Sequence, residues 1–105
     1  MTPSQLAMQI IASAGEAKSF AFQAVKAARD GNFQLASELM EKSSNSGQDA
    51  LRAQKMLLEK NINSETNETT MLLTHAQDHL MTSQLAQDLI REIIYLYKKN
   101  EKSVQ

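Results

Sequence analysis

The feature that most constrains this chain is the period of its apolar residues, which return every three or four positions almost from end to end. Leu6, Ile10, Ala14, Ala17, Ala21, Ala24 and Ala28 mark one face of a first helix, and the same spacing resumes twice more. A two-residue alternation that would specify strands is missing. With only three glycines and one proline in 105 residues, little interrupts the helices. The pattern predicts an all-α chain, an antiparallel three-helix bundle in a single domain spanning 1–105.

Local signals place the ends of the helices. Thr2-Pro3 reads as an N-cap hydroxyl followed by proline at the first helical position, where its missing donor costs nothing. Helix one is expected over about 3–29. Ile11, Phe20, Phe22 and Val25 widen its apolar surface, and Gly15, unfavourable in mid-helix by about 1 kcal/mol, is read as the mark of another backbone's close approach. Asp30-Gly31-Asn32 supplies a left-handed closing residue and then a new cap. Helix two is expected over about 33–60, with Leu35, Ala36, Leu39, Met40, Ala50, Leu51, Ala53, Gln54, Leu57 and Leu58 turned inward. Its middle, Ser43-Ser44-Asn45-Ser46-Gly47, is a run of poor helix formers, and a break there is the competing reading. A continuous helix is favoured because the apolar spacing returns in phase at Ala50. Residues 61–68 are polar and aperiodic, a loop, and helix three follows over about 69–100 with Lys98, Lys99 and Lys102 at the negative end of its dipole.

Composition excludes several classes of function. Eleven basic against twelve acidic residues leave no electrostatic footprint for nucleic acid or an anionic membrane surface. The absence of cysteine removes disulfides and thiolate chemistry and suits a reducing compartment. No stretch approaches the roughly 20 apolar residues of a membrane span. The chain therefore reads as cytoplasmic, without direct membrane insertion, and small enough to expect help from oligomerisation.

Both histidines lie in Thr74-His75-Ala76-Gln77-Asp78-His79-Leu80-Met81-Thr82. At about 100° per residue, His75, Asp78, His79 and Thr82 share one face of helix three, and the wheel sets them among Met71, Leu72, Ala76, Leu85, Ala86, Leu89, Ile90, Ile93 and Leu96. Gln77, Gln84, Asp88, Arg91 and Glu92 form the solvated face. Ionisable groups at buried or half-buried positions ask for a partner, and three readings stand. A free imidazole, with a pKa of about 6.5, is mostly neutral at pH 7 and can take a phosphoryl group; of His75 and His79 one could carry it while the other, or the Gln77 amide, donates hydrogen bonds. No glycine-rich phosphate loop is present, so the donor would be a protein rather than a nucleotide. Alternatively, His-x-x-Asp-His offers imidazole and carboxylate to a metal, although one helix cannot easily complete a zinc shell. Third, buried His and Asp fix helix register and oligomer state. The six methionines are read as core filler, Tyr95 and Tyr97 as packing at the end of helix three, and Asp30, Glu38, Glu41 and Lys42 as solvated surface.

The segment His75-Ala76-Gln77-Asp78-His79-Leu80-Met81-Thr82 resembles the functional helix of the IIA component of the lactose/cellobiose (chitobiose) branch of the bacterial phosphoenolpyruvate-dependent sugar phosphotransferase system. Gly15-Glu16-Ala17-Lys18-Ser19, Ala27-Ala28-Arg29-Asp30-Gly31-Asn32-Phe33 and Ile93-Ile94-Tyr95-Leu96-Tyr97-Lys98 extend the likeness over nearly the whole chain. The resemblance implies a homotrimer with a nine-helix core. It implies phosphorylation of His75 by the histidine phosphocarrier protein and transfer to a IIB component, for uptake of a β-linked disaccharide of the cellobiose, lactose or chitobiose class. Gln77 and His79 are then expected to support the phosphoryl group. Asp78 of three subunits is expected to share one structural Mg2+, a hard cation that suits a carboxylate oxygen. One departure stands out. Where many relatives carry histidine in an Ala-His-x-x-Gln pattern, this chain has Ala50-Leu51-Arg52-Ala53-Gln54. The alternative is a non-catalytic trimeric interaction or regulatory protein that retains the fold.

Overall fold

A computed structural model describes residues 1–60 and 67–104. It contains three helices, α1 (Pro3–Arg29), α2 (Phe33–Leu58) and α3 (Asn67–Val104), and no strand among the described residues. The caps follow from the residues at the ends. Thr2 Oγ1 accepts from the Gln5 amide at 3.1 Å while the Thr2 amide donates to Gln5 Oε1 at 2.9 Å, a reciprocal box that satisfies two orphan donors. Gly31 turns the chain at φ 83°, and Asn32 Oδ1 then accepts from the Leu35 amide at 3.1 Å to open α2. Residues 61–66 of the expected loop lie outside the described residues, whereas 67 and 68 are already helical and α3 runs past the expected end at 100.

The helices run up, down and up. Leu6, Ile10, Ala50, Ala53, Ala76 and Leu80 form a core at one end, and Ala21, Ala24, Ala36, Leu39, Ile90 and Ile94 form a second at the other. α1 lies against both neighbours along its length, while α2 and α3 touch sparingly. The inner face of α1 is chiefly alanine, so both neighbours can approach its backbone closely.

Between the two cores lies a polar layer. Ser43 Oγ donates to the Ala17 carbonyl at 2.6 Å, and Gln87 Nε2 donates to the Ser43 Oγ at 2.9 Å and the Ser43 carbonyl at 3.0 Å. All three helices are thereby joined through buried groups. The layer also explains why the serine run stays helical. Ser43 and Ser46 face inward, and at Gly47 an added Cβ would stand 3.0 Å from Gln87 Nε2. The residues that are poor for an isolated helix are the ones small enough to admit the glutamine.

Several expectations about burial need correction. Leu35, Leu51 and Leu58 of α2 are exposed rather than inward, as is Tyr95, whereas Tyr97 packs against the second core. Five of the six methionines are exposed, Met40 alone being half-buried. Gly15 has nothing within 4 Å of an added Cβ, so no backbone of another helix approaches it among the described residues.

The two helical glycines should therefore respond oppositely to alanine. Gly15→Ala is expected to raise stability by about 1 kcal/mol in an isolated chain, the intrinsic helix preference. Gly47→Ala is expected to lower it, because the Gln87 amide must give way by a few tenths of an ångström and so weakens two buried hydrogen bonds of about 1 kcal/mol each. Thermal unfolding at matched protein concentration checks both, and destabilisation at Gly15 would mean that a second chain packs on that face.

Candidate functional site

α3 carries apolar residues on two sides, and the sequence wheel merges them. Ala76, Leu80, Ile90 and Ile94 are buried against α1 and α2, together with Ser83 and Gln87. On the other side Met71, His75, Asp78, Thr82, Leu85, Leu89, Ile93 and Leu96 follow one another at steps of three and four residues. All eight are exposed in this chain, and Met71, Leu85, Leu89 and Leu96 are each more than half exposed. His75 and Asp78 thus belong to an apolar stripe, as expected, but to one that none of the described residues covers. Their burial within the chain is not observed; of the two histidines only His79 is half-buried.

The one-turn spacing of the histidines brings their rings together. His79 Nε2 lies 3.1 Å from His75 Nε2, and the rings meet edge to face with centroids 4.4 Å apart. When both rings are neutral, such a contact requires one nitrogen to donate and the other to accept, so each ring sets the tautomer of the other. The neighbouring hydroxyls are engaged locally. Thr74 Oγ1 donates to the Thr70 carbonyl at 3.0 Å and Thr82 Oγ1 to the His79 carbonyl at 3.2 Å. Asp78 lines a shallow depression with Thr70, Met71, Thr74 and His75, and its carboxylate has no hydrogen-bond or ion-pair partner among the described residues.

Gln77 is not brought to His75. Two residues along a helix turn the side chain by about 200°, which sends Gln77 to the opposite flank of α3. There Gln54 Nε2 of α2 donates to Gln77 Oε1 at 3.2 Å. Gln54 was legible in the sequence only as an inner position of α2, and nothing in the spacing marks it as the partner of Gln77. Leu51, one turn before it, lines a groove with Leu80, Ser83 and Gln84, on the same flank and away from His75.

No group of three or more His, Cys, Asp or Glu side chains that could hold a metal ion occurs among the described residues. One Asp78 per chain would need carboxylates from other copies to make a cation site. No described helix is long and apolar enough to cross a membrane.

The family model for the lactose/cellobiose-specific IIA subunit of the phosphotransferase system matches residues 5–98. The N,N'-diacetylchitobiose-specific EIIA component of Escherichia coli K12 is 38% identical over 95 residues, covering 90% of this chain and 82% of that protein. The lactose-specific EIIA component of Streptococcus mutans is 39% identical over 94 residues, covering 90% of each. That of Staphylococcus aureus strain N315 is 37% identical over 94 residues, covering 90% of this chain and 91% of the relative. No solved structure gives a significant match. With its three helices, its paired histidines and these matches along nearly its full length, the chain belongs to the lactose/cellobiose-specific IIA family of the sugar phosphotransferase system.

Proposed function

We propose that His75 is a phosphoryl carrier, loaded by the histidine phosphocarrier protein and unloaded by a IIB component during uptake of a β-linked disaccharide. The observation that carries this reading is the paired Nε2 atoms of His75 and His79 on an exposed face of α3. With His79 as the Nε2–H donor, His75 keeps its Nε2 lone pair and holds its own proton on Nδ1. In the transfer, that lone pair forms a bond to phosphorus as the phosphorus–nitrogen bond of the incoming phosphohistidine breaks and its imidazole leaves with the electron pair. The phosphoryl group then takes the place that His79 Nε2 holds against His75, so the His79 ring swings aside and its Nε2–H donates to a phosphoryl oxygen instead of to nitrogen. Transfer to IIB runs the same exchange outward. Positioning and donors aimed at the transferred group supply the catalysis, with no nucleotide required.

The reading includes assembly. An uncovered stripe of Met71, Leu85, Leu89, Ile93 and Leu96 is the kind of apolar surface that a monomer rarely leaves in water, and its three-and-four spacing suits helix-on-helix packing. Three copies joined through it make a homotrimer with a nine-helix core. Asp78 of each would then meet near the axis, and a shared Mg2+ bound by the three carboxylates would neutralise charges that otherwise repel. Because Gln77 faces away from its own His75, the phosphoryl group it supports belongs to a neighbouring copy. The diacetylchitobiose- and lactose-specific relatives support the disaccharide class.

Intact-mass spectrometry after incubation with phosphoenolpyruvate, enzyme I and the phosphocarrier protein tests the carrier role. One acid-labile phosphoryl addition per chain is expected, abolished in His75→Ala and acquired about 10²-fold more slowly in His79→Phe, the scale for losing one aimed donor. A folded protein that takes no phosphoryl group would instead be a helical interaction protein.

Sedimentation with and without chelator tests the assembly. The native protein is expected to be a trimer that weakens when the metal is removed. Asp78→Leu is expected to stay trimeric and become indifferent to chelator, since leucine extends the stripe and removes the repulsion. A monomer at micromolar concentration with Mg2+ present would rule out both trimer and metal site.

A further inference from the structure

We propose that Gln54 is a positioning residue that fixes the polarity of the Gln77 amide, so that Gln77 offers N–H donors, rather than its carbonyl, to a phosphoryl group. The proposal rests on the phosphocarrier reading and adds to it a residue on a different helix. An amide side chain has one accepting and one donating end, and little intrinsic preference between the two orientations. Something must decide which end faces the ligand, because a phosphoryl group carries only acceptor oxygens. Gln54 Nε2 donates to Gln77 Oε1 at 3.2 Å, which ties the carbonyl end of Gln77 to α2. The Gln77 Nε2 makes no hydrogen bond among the described residues and is left free to donate.

The surroundings hold Gln54 in that role. It is half-buried, one residue after buried Ala53 and four after buried Ala50, both of which pack in the first core beside Ala76. Ala76 directly precedes Gln77, so the small-residue contact that seats α2 on α1 and α3 also sets the distance between the two amides. The second polar tie between α2 and α3, Gln87 to Ser43, is buried at the middle of the bundle and fixes the register of the pair. Gln54 and Gln77 therefore meet at a level the fold determines, with the donor–acceptor direction as the remaining freedom.

The test reverses that direction. In Gln54→Lys the new side chain can only donate, so it keeps the Gln77 carbonyl turned inward. In Gln54→Glu it can only accept, so the Gln77 amide must rotate to donate to it and present its carbonyl outward. The rate of phosphoryl acceptance by the full-length protein from the phosphocarrier protein is expected to fall about tenfold in Gln54→Glu, the scale of one hydrogen bond. It should remain within about twofold of the unaltered protein in Gln54→Lys. Direct effects of the introduced charges are separated by repeating both in a Gln77→Leu background, where neither should change the rate further. Equal effects of the two variants, the opposite order, or effects that persist with Gln77→Leu would each overturn the proposal. The side-chain amide resonances of Gln77 give a readout that needs no turnover. They should shift and gain protection from exchange in Gln54→Glu only, and an unchanged signal there would also overturn it. If the unaltered protein accepts no phosphoryl group, the carrier reading itself fails and the proposal with it; acceptance without dependence on Gln54 defeats the proposal alone.

Discussion

The rest of the structure depends on how close α1 lies to its two neighbours, and alanine sets that distance. Ala7, Ala14, Ala17, Ala21, Ala24, Ala27 and Ala28 are buried along one side of α1. Such a face lets helices approach, but each alanine removes little apolar area from water, at about 25 cal/mol per Å2. The largest fully buried side chains are Leu6, Ile10, Ser43 and Ser83, two of them polar. Meanwhile larger apolar residues of α3, from Met71 to Leu96, stand outside. A chain of this size that spends its large side chains on an outer stripe and its small ones on the inner face is short of core. Its helices are placed by geometry and polar ties, and its larger apolar side chains stand on the surface of α3.

That division decides what was legible in the sequence. The helices, their caps and the inner face of α1 could be read directly, because Leu6, Ile10, Ala14, Ala17, Ala21, Ala24 and Ala28 keep one phase throughout and Thr2, Pro3, Gly31 and Asn32 act locally. The continuity of α2 was legible too, from the return of the phase at Ala50. What periodicity could not separate were two apolar stripes on one helix. Leu72, Ala76 and Ile90 face the bundle while Met71, Leu85 and Leu89 face outward, and a wheel drawn for a single core fuses them. Met71 was misread for the same reason.

Polar partnerships across helices were invisible for a different reason. Gln87 enters the core because Gly47 leaves room and Ser43 supplies two acceptors, a fit that depends on the registry of α2 against α3. Intrinsic propensity ranks the serine run as a weak helix, and the tertiary requirement for small residues outweighs it. The Gln54–Gln77 contact is of the same kind, since neither residue advertises the other. The histidine pair was the exception. One-turn spacing on a single helix guarantees proximity, so His75 and His79 could be placed together from the sequence, although not at their 3.1 Å nitrogen contact.

The same helical arithmetic links the proposed chemistry to the proposed assembly. Residues four apart share a face, and His75 and His79 do so; residues two apart do not, and His75 and Gln77 point to opposite flanks of α3. A site that uses both kinds of pair cannot close within one copy of a straight helix. In the assembly proposed above, joining copies through the outer stripe would therefore do more than cover Met71, Leu85 and Leu89. It would let the donors on one flank of α3 meet the imidazole on the other flank of a second α3. On this view the apolar residues that leave a single chain short of core also bring together the groups that serve the phosphoryl site, and Asp78, set in the same stripe, ties the charge of the site to the contact between copies.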